Sequence, residues 1–171
     1  MSRILILGNS GSGKTWLAAA LAENNGSDVV NLDSVFWMPG GYNQKRSEEQ
    51  VAIAIEEIKQ ASDWVVEGVF GALIEPLVEC ADMMIYLDFQ WQDCYEALLS
   101  RGSESSKQLD PEAADANFQA LLTWASQYEH RHNKNSREFH QRLYQSFEKD
   151  KYRLLNRNDV NQFVKDFGAS I

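Results

Sequence analysis

Eight consecutive residues, Gly8-Asn9-Ser10-Gly11-Ser12-Gly13-Lys14-Thr15, constrain this chain more than anything else in it. They fit the pattern G-x-x-x-x-G-K-[ST]. Ile4 to Leu7 precede them as an unbroken apolar run, as in a strand covered on both faces of a parallel sheet. Lys14 to Glu23 follow, rich in Ala and Leu, and predict a helix that ends near Asn24-Asn25-Gly26. Between strand and helix, glycines at 8, 11 and 13 permit torsions and close approaches that a Cβ would block. Successive backbone N–H groups can then converge into an anion-binding nest, reinforced by the dipole of the helix. The loop is therefore expected to hold phosphate, with Gly8, Asn9, Ser10, Gly11, Ser12, Gly13, Lys14, Thr15 and Trp16 around it. Lys14 would reach the β- and γ-phosphates as a point charge, and the Thr15 hydroxyl would ligate Mg²⁺.

The rest of the chain reads as strands alternating with helices. Val29 to Leu32 forms a second short strand ending on Asp33, and Phe36 to Gly41 a loop broken by Pro39-Gly40-Gly41. Ser47 and Gln50 have the spacing of a capping box, and Val51, Ala54, Ile55 and Ile58 continue at helical period. Trp64 to Val66, stopped by Glu67-Gly68, and Met83 to Leu87, ending on Asp88, are the third and fourth strands. Trp91 to Ser100 is helical, Gly102 to Lys107 a polar break, and Asp110-Pro111 an N-cap followed by proline at the first helical position. Phe118, Leu121, Leu122, Ala125 and Tyr128 stripe the next helix, and Phe139, Leu143 and Phe147 another. Tyr152 to Leu155 is a fifth strand before a terminal helix carrying Val160, Phe163, Val164 and Phe167. Such alternation implies an α/β fold, a doubly wound parallel sheet with helices on both faces in three layers.

With 171 residues there is room for one domain over 1–171 and not for two. A net charge of −9 argues against nucleic acid as the main partner, since neutralising its phosphates calls for a basic face. The only cysteines, Cys80 and Cys94, lack metal-type spacing and suit the reducing cytoplasm. No apolar run is long enough for a signal sequence or a membrane span.

Three carboxylates stand where apolar runs stop: Asp33, Glu67 and Asp88. In an open parallel sheet the ligand crevice lies beyond the carboxyl ends of the strands, so each could face a nucleotide. Glu67 and Asp88 compete for the metal role beside Thr15, and Asp33 could address the phosphate acceptor. Arg131, Lys134, Arg137 and Arg142 make the stretch before the last strand the most cationic part of an acidic chain. Arg131 and Arg137 are candidates for stabilising the charge of a transferring phosphoryl group, with Arg101 a third. The histidines read as surface residues, Trp124 and Tyr128 as core, and Phe36, Trp37 and Tyr42 as a ring pocket for an acceptor or as packing.

Taken in order, Gly8 to Thr15, Leu32-Asp33 with Phe36-Trp37 and Pro39-Gly40, Glu67-Gly68, and Ala81-Asp82 leading to Leu87-Asp88 resemble the adenylate-kinase-like P-loop family known as DNA topology modulation proteins. The resemblance spans about half the chain. It implies a P-loop NTPase core with strand order 2-3-1-4-5 and a helical lid between strands 4 and 5, approximately residues 102–149. With that order the third strand neighbours the first, which favours Glu67 over Asp88 for the metal. This chain has Glu67-Gly68 where relatives usually have Asp-Gly, Gln90-Trp91 where they often have Pro-Arg, and fewer lid arginines.

The expected activity is phosphoryl transfer from ATP or another NTP, with Mg²⁺, to a nucleotide or other small metabolite. A regulatory NTPase that slowly hydrolyses its nucleotide to control a partner is the alternative. The protein would act in the cytoplasm, off the membrane, as a monomer or a dimer.

Overall fold

The structure, a computed structural model, describes residues 2–40, 43–102 and 111–169. Five strands, β1 (Arg3–Gly8), β2 (Asp28–Asn31), β3 (Trp64–Gly68), β4 (Met83–Leu87) and β5 (Asp150–Leu154), form an all-parallel sheet of order 2-3-1-4-5. The three inner strands, β3, β1 and β4, are buried on both faces, which is why Ile4 to Leu7, Trp64 to Val66 and Met84 to Leu87 are uninterrupted apolar runs.

Among the described residues eight α-helices accompany the sheet: α1 (Lys14–Asn25), α2 (Leu32–Phe36), α3 (Glu48–Gln60), α4 (Gly71–Ile74), α5 (Trp91–Arg101), α6 (Pro111–Ser126), α7 (Arg137–Ser146) and α8 (Arg157–Ala169). One apolar layer joins Leu5, Leu7, Trp64, Val66 and Met84 to α3, α4 and α7. The opposite layer joins Ile4, Ile6, Val65 and Ile85 to α1, Cys94 of α5 and Val160 of α8. Neighbouring strand residues thus pack to opposite sides, as the pleat requires.

Local signals account for most boundaries. The capping box at α3 is formed in both directions: Gln50 N donates to Ser47 Oγ at 3.2 Å, and Ser47 N donates to Gln50 Oε1 at 3.0 Å. α1 ends on Gly26 at φ 71°, whose N–H donates to the Ala22 carbonyl.

Where the sequence predicted a strand up to Leu32 and then a loop, β2 stops at Asn31 and α2 begins. The reason is local. The Asn31 side chain accepts from Asp33 N at 2.8 Å and caps the turn, which puts Asp33 in the first turn of a helix. The following residues are not a free loop either. Met38 N donates to Gln44 O at 2.8 Å and Arg46 N to Phe36 O at 2.9 Å, so residues 36–38 and 44–46 pair as an antiparallel ribbon. Gly41, Tyr42 and residues 103–110 of the polar break lie outside the described residues.

α6 ends at Ser126, two residues before Tyr128, which is buried in the turn that follows. α7 lays Phe139, Leu143 and Phe147 into the core and belongs to the helical layer of the sheet. Among the described residues no helix is long and apolar enough to cross a membrane.

Candidate functional site

The sheet register assembles the site. Glu67 stands beside Ile6 of β1 on one side and Asn31 of β2 on the other, one step from where the phosphate loop leaves β1. Glu67 is 2 % exposed, and its Oε1 accepts from Thr15 Oγ1 at 2.9 Å. Burial pushes the Glu67 carboxyl up, and the Lys14 ammonium and the Thr15 hydroxyl oppose that shift. Asp88 is a different environment. It is also buried, but its two oxygens are taken up by Arg137 (Nε at 2.8 Å, Nη2 at 3.1 Å) and Arg153 (Nε at 2.9 Å). Burial raises the Asp88 carboxyl, and the bonds from the two guanidinium groups outweigh it and hold the group below the usual carboxylate range. Of the two competitors, only Glu67 is joined to Thr15.

Within the loop, Gly11 and Gly13 adopt φ 82° and 90°. A Cβ at Gly11 would meet the Cys94 carbonyl oxygen of α5 at 2.5 Å, and one at Gly13 would meet the Arg157 guanidinium at 2.7 Å. Gly11 needs glycine for torsion and for space, and Gly13 for its torsion, since the Arg157 guanidinium is the movable end of a side chain. Lys14 is 8 % exposed and donates to the Asn9 carbonyl at 2.7 Å. Burial lowers the Lys14 ammonium, against the pull of Glu67 and Asp33.

A cavity of ≈ 1510 Å³ opens over the loop. Lys14, Thr15, Glu67 and Asp33 line it, and the ribbon contributes Trp37, Lys45 and Arg46. Its apolar wall is continuous: Phe36 stacks on Phe70 at 4.3 Å, and Trp124 lies 6.2 Å from Phe70. Lys14, Lys45, Arg46, Arg101 and Arg157 line it against two acids, Asp33 and Glu67. In a chain of net charge −9, this cleft gathers positive charge.

Of the three arginines named from the sequence, Arg101 lines the cavity and Arg131 and Arg137 do not. Arg137 is held by Asp88. Arg131 stacks on Trp124 at 4.2 Å and donates to the carbonyls of Trp124 and Asn135, the latter at 2.8 Å. Neither lines the cavity, whereas Arg101 and Arg157 do. Arg157 had not been singled out. It opens the helix after the last strand, and its guanidinium lies 5.5 Å from the ring of Trp16, against Gly13. Its only sequence signal is a basic residue in the first turn of α8, and chain position gives no hint that this turn meets the phosphate loop.

The surface reading of the histidines fails for His140, which is fully buried. Its Nε2 faces the Val69 carbonyl at 2.8 Å and its Nδ1 the Tyr128 hydroxyl at 2.7 Å. A carbonyl only accepts, so Nε2 carries the proton and Nδ1 accepts from Tyr128. Burial lowers the imidazole to about 4. Trp124, expected in the core, is half-buried and forms cavity wall.

The donor set suits magnesium. Thr15 Oγ1 and Glu67 offer hard oxygens at the mouth of the phosphate nest, and among the described residues no group of three or more His, Cys, Asp or Glu side chains could form a protein-only metal cage. Mg²⁺ is ordinarily held this way, through one or two protein oxygens plus substrate phosphates and water.

Sheet order, loop and strand-end acid together define the fold of the P-loop kinases. No protein-family model matches the chain, and no curated protein matches it. Among solved structures, it is similar to a gluconokinase from Sinorhizobium meliloti 1021, at TM-score 0.58 and 15% identity over 98% of this chain and 90% of that one. A shikimate kinase from Acinetobacter baumannii, in complex with shikimate, matches at TM-score 0.57 and 15% identity, covering 97% and 90%. The YorR protein from Bacillus subtilis, in complex with phosphorylated GDP, matches at TM-score 0.52 and 12% identity, covering 95% and 92%. At these identities the likeness is one of fold.

Proposed function

We infer that the protein is a phosphotransferase that uses a nucleoside triphosphate with Mg²⁺, ATP foremost, and acts on a nucleotide or another small metabolite. The observation that carries this reading is the Thr15–Glu67 hydrogen bond in a cationic cleft. The nucleotide supplies the phosphoryl group, and the metal neutralises charge on its oxygens. Everything else is the work of the chain. The N–H groups of Gly8 to Thr15 and the Lys14 ammonium bind phosphate. Thr15 and Glu67 orient the metal, and Trp16 and Arg157 flank the loop.

At the other end, Asp33 would accept a hydrogen bond, or the proton, from the attacking group of the acceptor. The Phe36, Phe70 and Trp124 wall suits a flat or apolar body, and Lys45 and Arg46 suit an anionic substituent. Arg101 and Arg157 take the role the sequence gave to Arg131 and Arg137, surrounding the transferring group with positive charge. Residues 1–171 would act as one unit, with α6 the helix of the expected lid that lines the cleft. The resemblance of Leu32 to Gly40 to the DNA topology modulation proteins supports the same assignment.

Incubation with ATP·Mg²⁺ and a panel of nucleoside monophosphates, ring acids and polyols tests it. Transfer to one acceptor class above the rate of hydrolysis is expected, and free phosphate as the sole product across the panel would sink it. A regulatory NTPase has one observation in its favour: Arg131 and Arg137 are engaged by protein groups, not aimed at the cleft. Hydrolysis alone, together with nucleotide-dependent partner binding lost in Lys14→Ala, would establish that alternative.

A further inference from the structure

Asn9 is a loop residue whose side chain is committed to the protein. It is 3 % exposed. Its Oδ1 accepts from Ser10 N at 2.8 Å, and its Nδ2 donates to the Ala125 carbonyl at 3.0 Å, in the last turn of α6. The Asn9 backbone carbonyl is meanwhile the acceptor for Lys14 Nζ. One residue therefore holds both the ammonium destined for phosphate and the end of a distant helix.

That helix forms the far wall of the cleft. Asn117, Ala120, Leu121 and Trp124 line the cavity at spacings of three, one and three, so they share one face of α6. Its own anchoring is slight, because among its described side chains only Ala114 and Ala125 are buried. A helix with so little buried apolar surface sits at the low end of local stability, where a single buried hydrogen bond weighs heavily.

We propose that Asn9 is a positioning residue that couples the phosphate loop to the α6 wall, so that a nucleotide in the loop orders the surface against which the acceptor lies. The coupling rests on the reading of this cleft as a nucleotide and acceptor site. Its physical basis is the shared residue. When Lys14 leaves the Asn9 carbonyl to meet a phosphate, the load changes on the residue whose amide holds Ala125. Conversely, a nucleotide that rigidifies the loop fixes that amide and with it the end of α6.

Hydrogen exchange followed by mass spectrometry over residues 112–126 tests this, with and without AMPPNP·Mg²⁺, alongside calorimetric binding. In the wild type the nucleotide should slow exchange there. Asn9→Asp keeps an acceptor for Ser10 N and removes the donor to Ala125, and Asn9→Ala removes both. In both variants, exchange across 112–126 should quicken about ten-fold in the free protein, and nucleotide protection should vanish while β1 and β4 are unchanged. Binding of AMPPNP·Mg²⁺ with identical α6 exchange in all three proteins would overturn the coupling and leave the nucleotide reading standing. Absence of binding to the wild type would overturn both. Should neither variant fold, wild-type exchange decides alone, and a bound nucleotide that leaves 112–126 unprotected refutes the proposal.

Discussion

The Thr15 hydroxyl reaches across 2.9 Å to the Glu67 carboxylate and joins the first turn of α1 to the end of β3. Fifty-two positions separate them in sequence. Parallel pairing of β1 with β3 brings them together, with Leu7 opposite Gly68 and Ile6 opposite Glu67. The pair ties the metal end of the proposed site to the sheet and leaves the Thr15 oxygen at the mouth of the phosphate loop.

Replacing Glu67 with glutamine keeps an acceptor for Thr15 and removes the negative charge. Loss of about a hundred-fold or more in kcat is expected, with the Mg²⁺ requirement shifted to higher concentration, as when one preorganised electrostatic group is removed. Steady-state rates across a magnesium titration read both effects. Glu67→Asp, which restores the Asp-Gly of the resembled family, should retain more activity than Glu67→Gln.

Asp33→Asn addresses the other end of the cleft. Nucleotide binding, followed by the rise in melting temperature with AMPPNP·Mg²⁺, should stay close to that of the wild type. Turnover with the acceptor should fall about a hundred-fold, the usual weight of a positioned general base. An equal loss of nucleotide affinity would place Asp33 on the phosphate side instead.

The buried His140 predicts a pH dependence of stability. Its folded value, about 4, lies below the ordinary value of 6.5. Below pH 6.5 the unfolded chain takes up a proton that the folded imidazole refuses, so its contribution is complete above 6.5 and declines as pH falls toward 4. The full effect amounts to about 3 kcal/mol. Urea denaturation at pH 7.5, 6 and 5 measures it, and His140→Gln should flatten the dependence in that window.

Asp88 makes a separate contribution at lower pH. Its carboxyl is held below the usual range, so the contribution is present above pH ~4 and lost as pH falls through the folded value. Asp88→Ala should cost about 1–3 kcal/mol, because two charge-assisted pairs disappear from a buried acceptor. Arg153→Ala should cost less, since 44% of that side chain is exposed and water substitutes for its partner. Chemical denaturation of the two variants ranks them.

The phosphate loop, the five strands, the capping box and the alternation of layers could be read from residue order, because each depends on contacts within a few positions. Gly11 and Gly13 announce a turn by composition alone, and Ile4 to Leu7 announce a buried strand. The sequence by itself therefore determined an α/β sheet with a glycine-rich turn between β1 and α1. One local error came from a short-range cap, the Asn31 side chain, which turned a strand end into α2 and placed Asp33 on a helix. What only the tertiary structure decided is which charges meet. Asp88 and Glu67 follow similar apolar runs, yet Asp88 faces Arg137 and Arg153 while Glu67 faces Thr15. Arg131 and Arg137 stand in the most basic stretch, but they are drawn to a carboxylate, backbone carbonyls and an indole, and Arg157 lies across Gly13. Apart from those of Arg131, whose partners stand four and seven positions away, such pairings depend on the register of strands and the crossing of helices more than 40 positions apart, and Coulomb attraction acts on distance in space, which residue order does not specify.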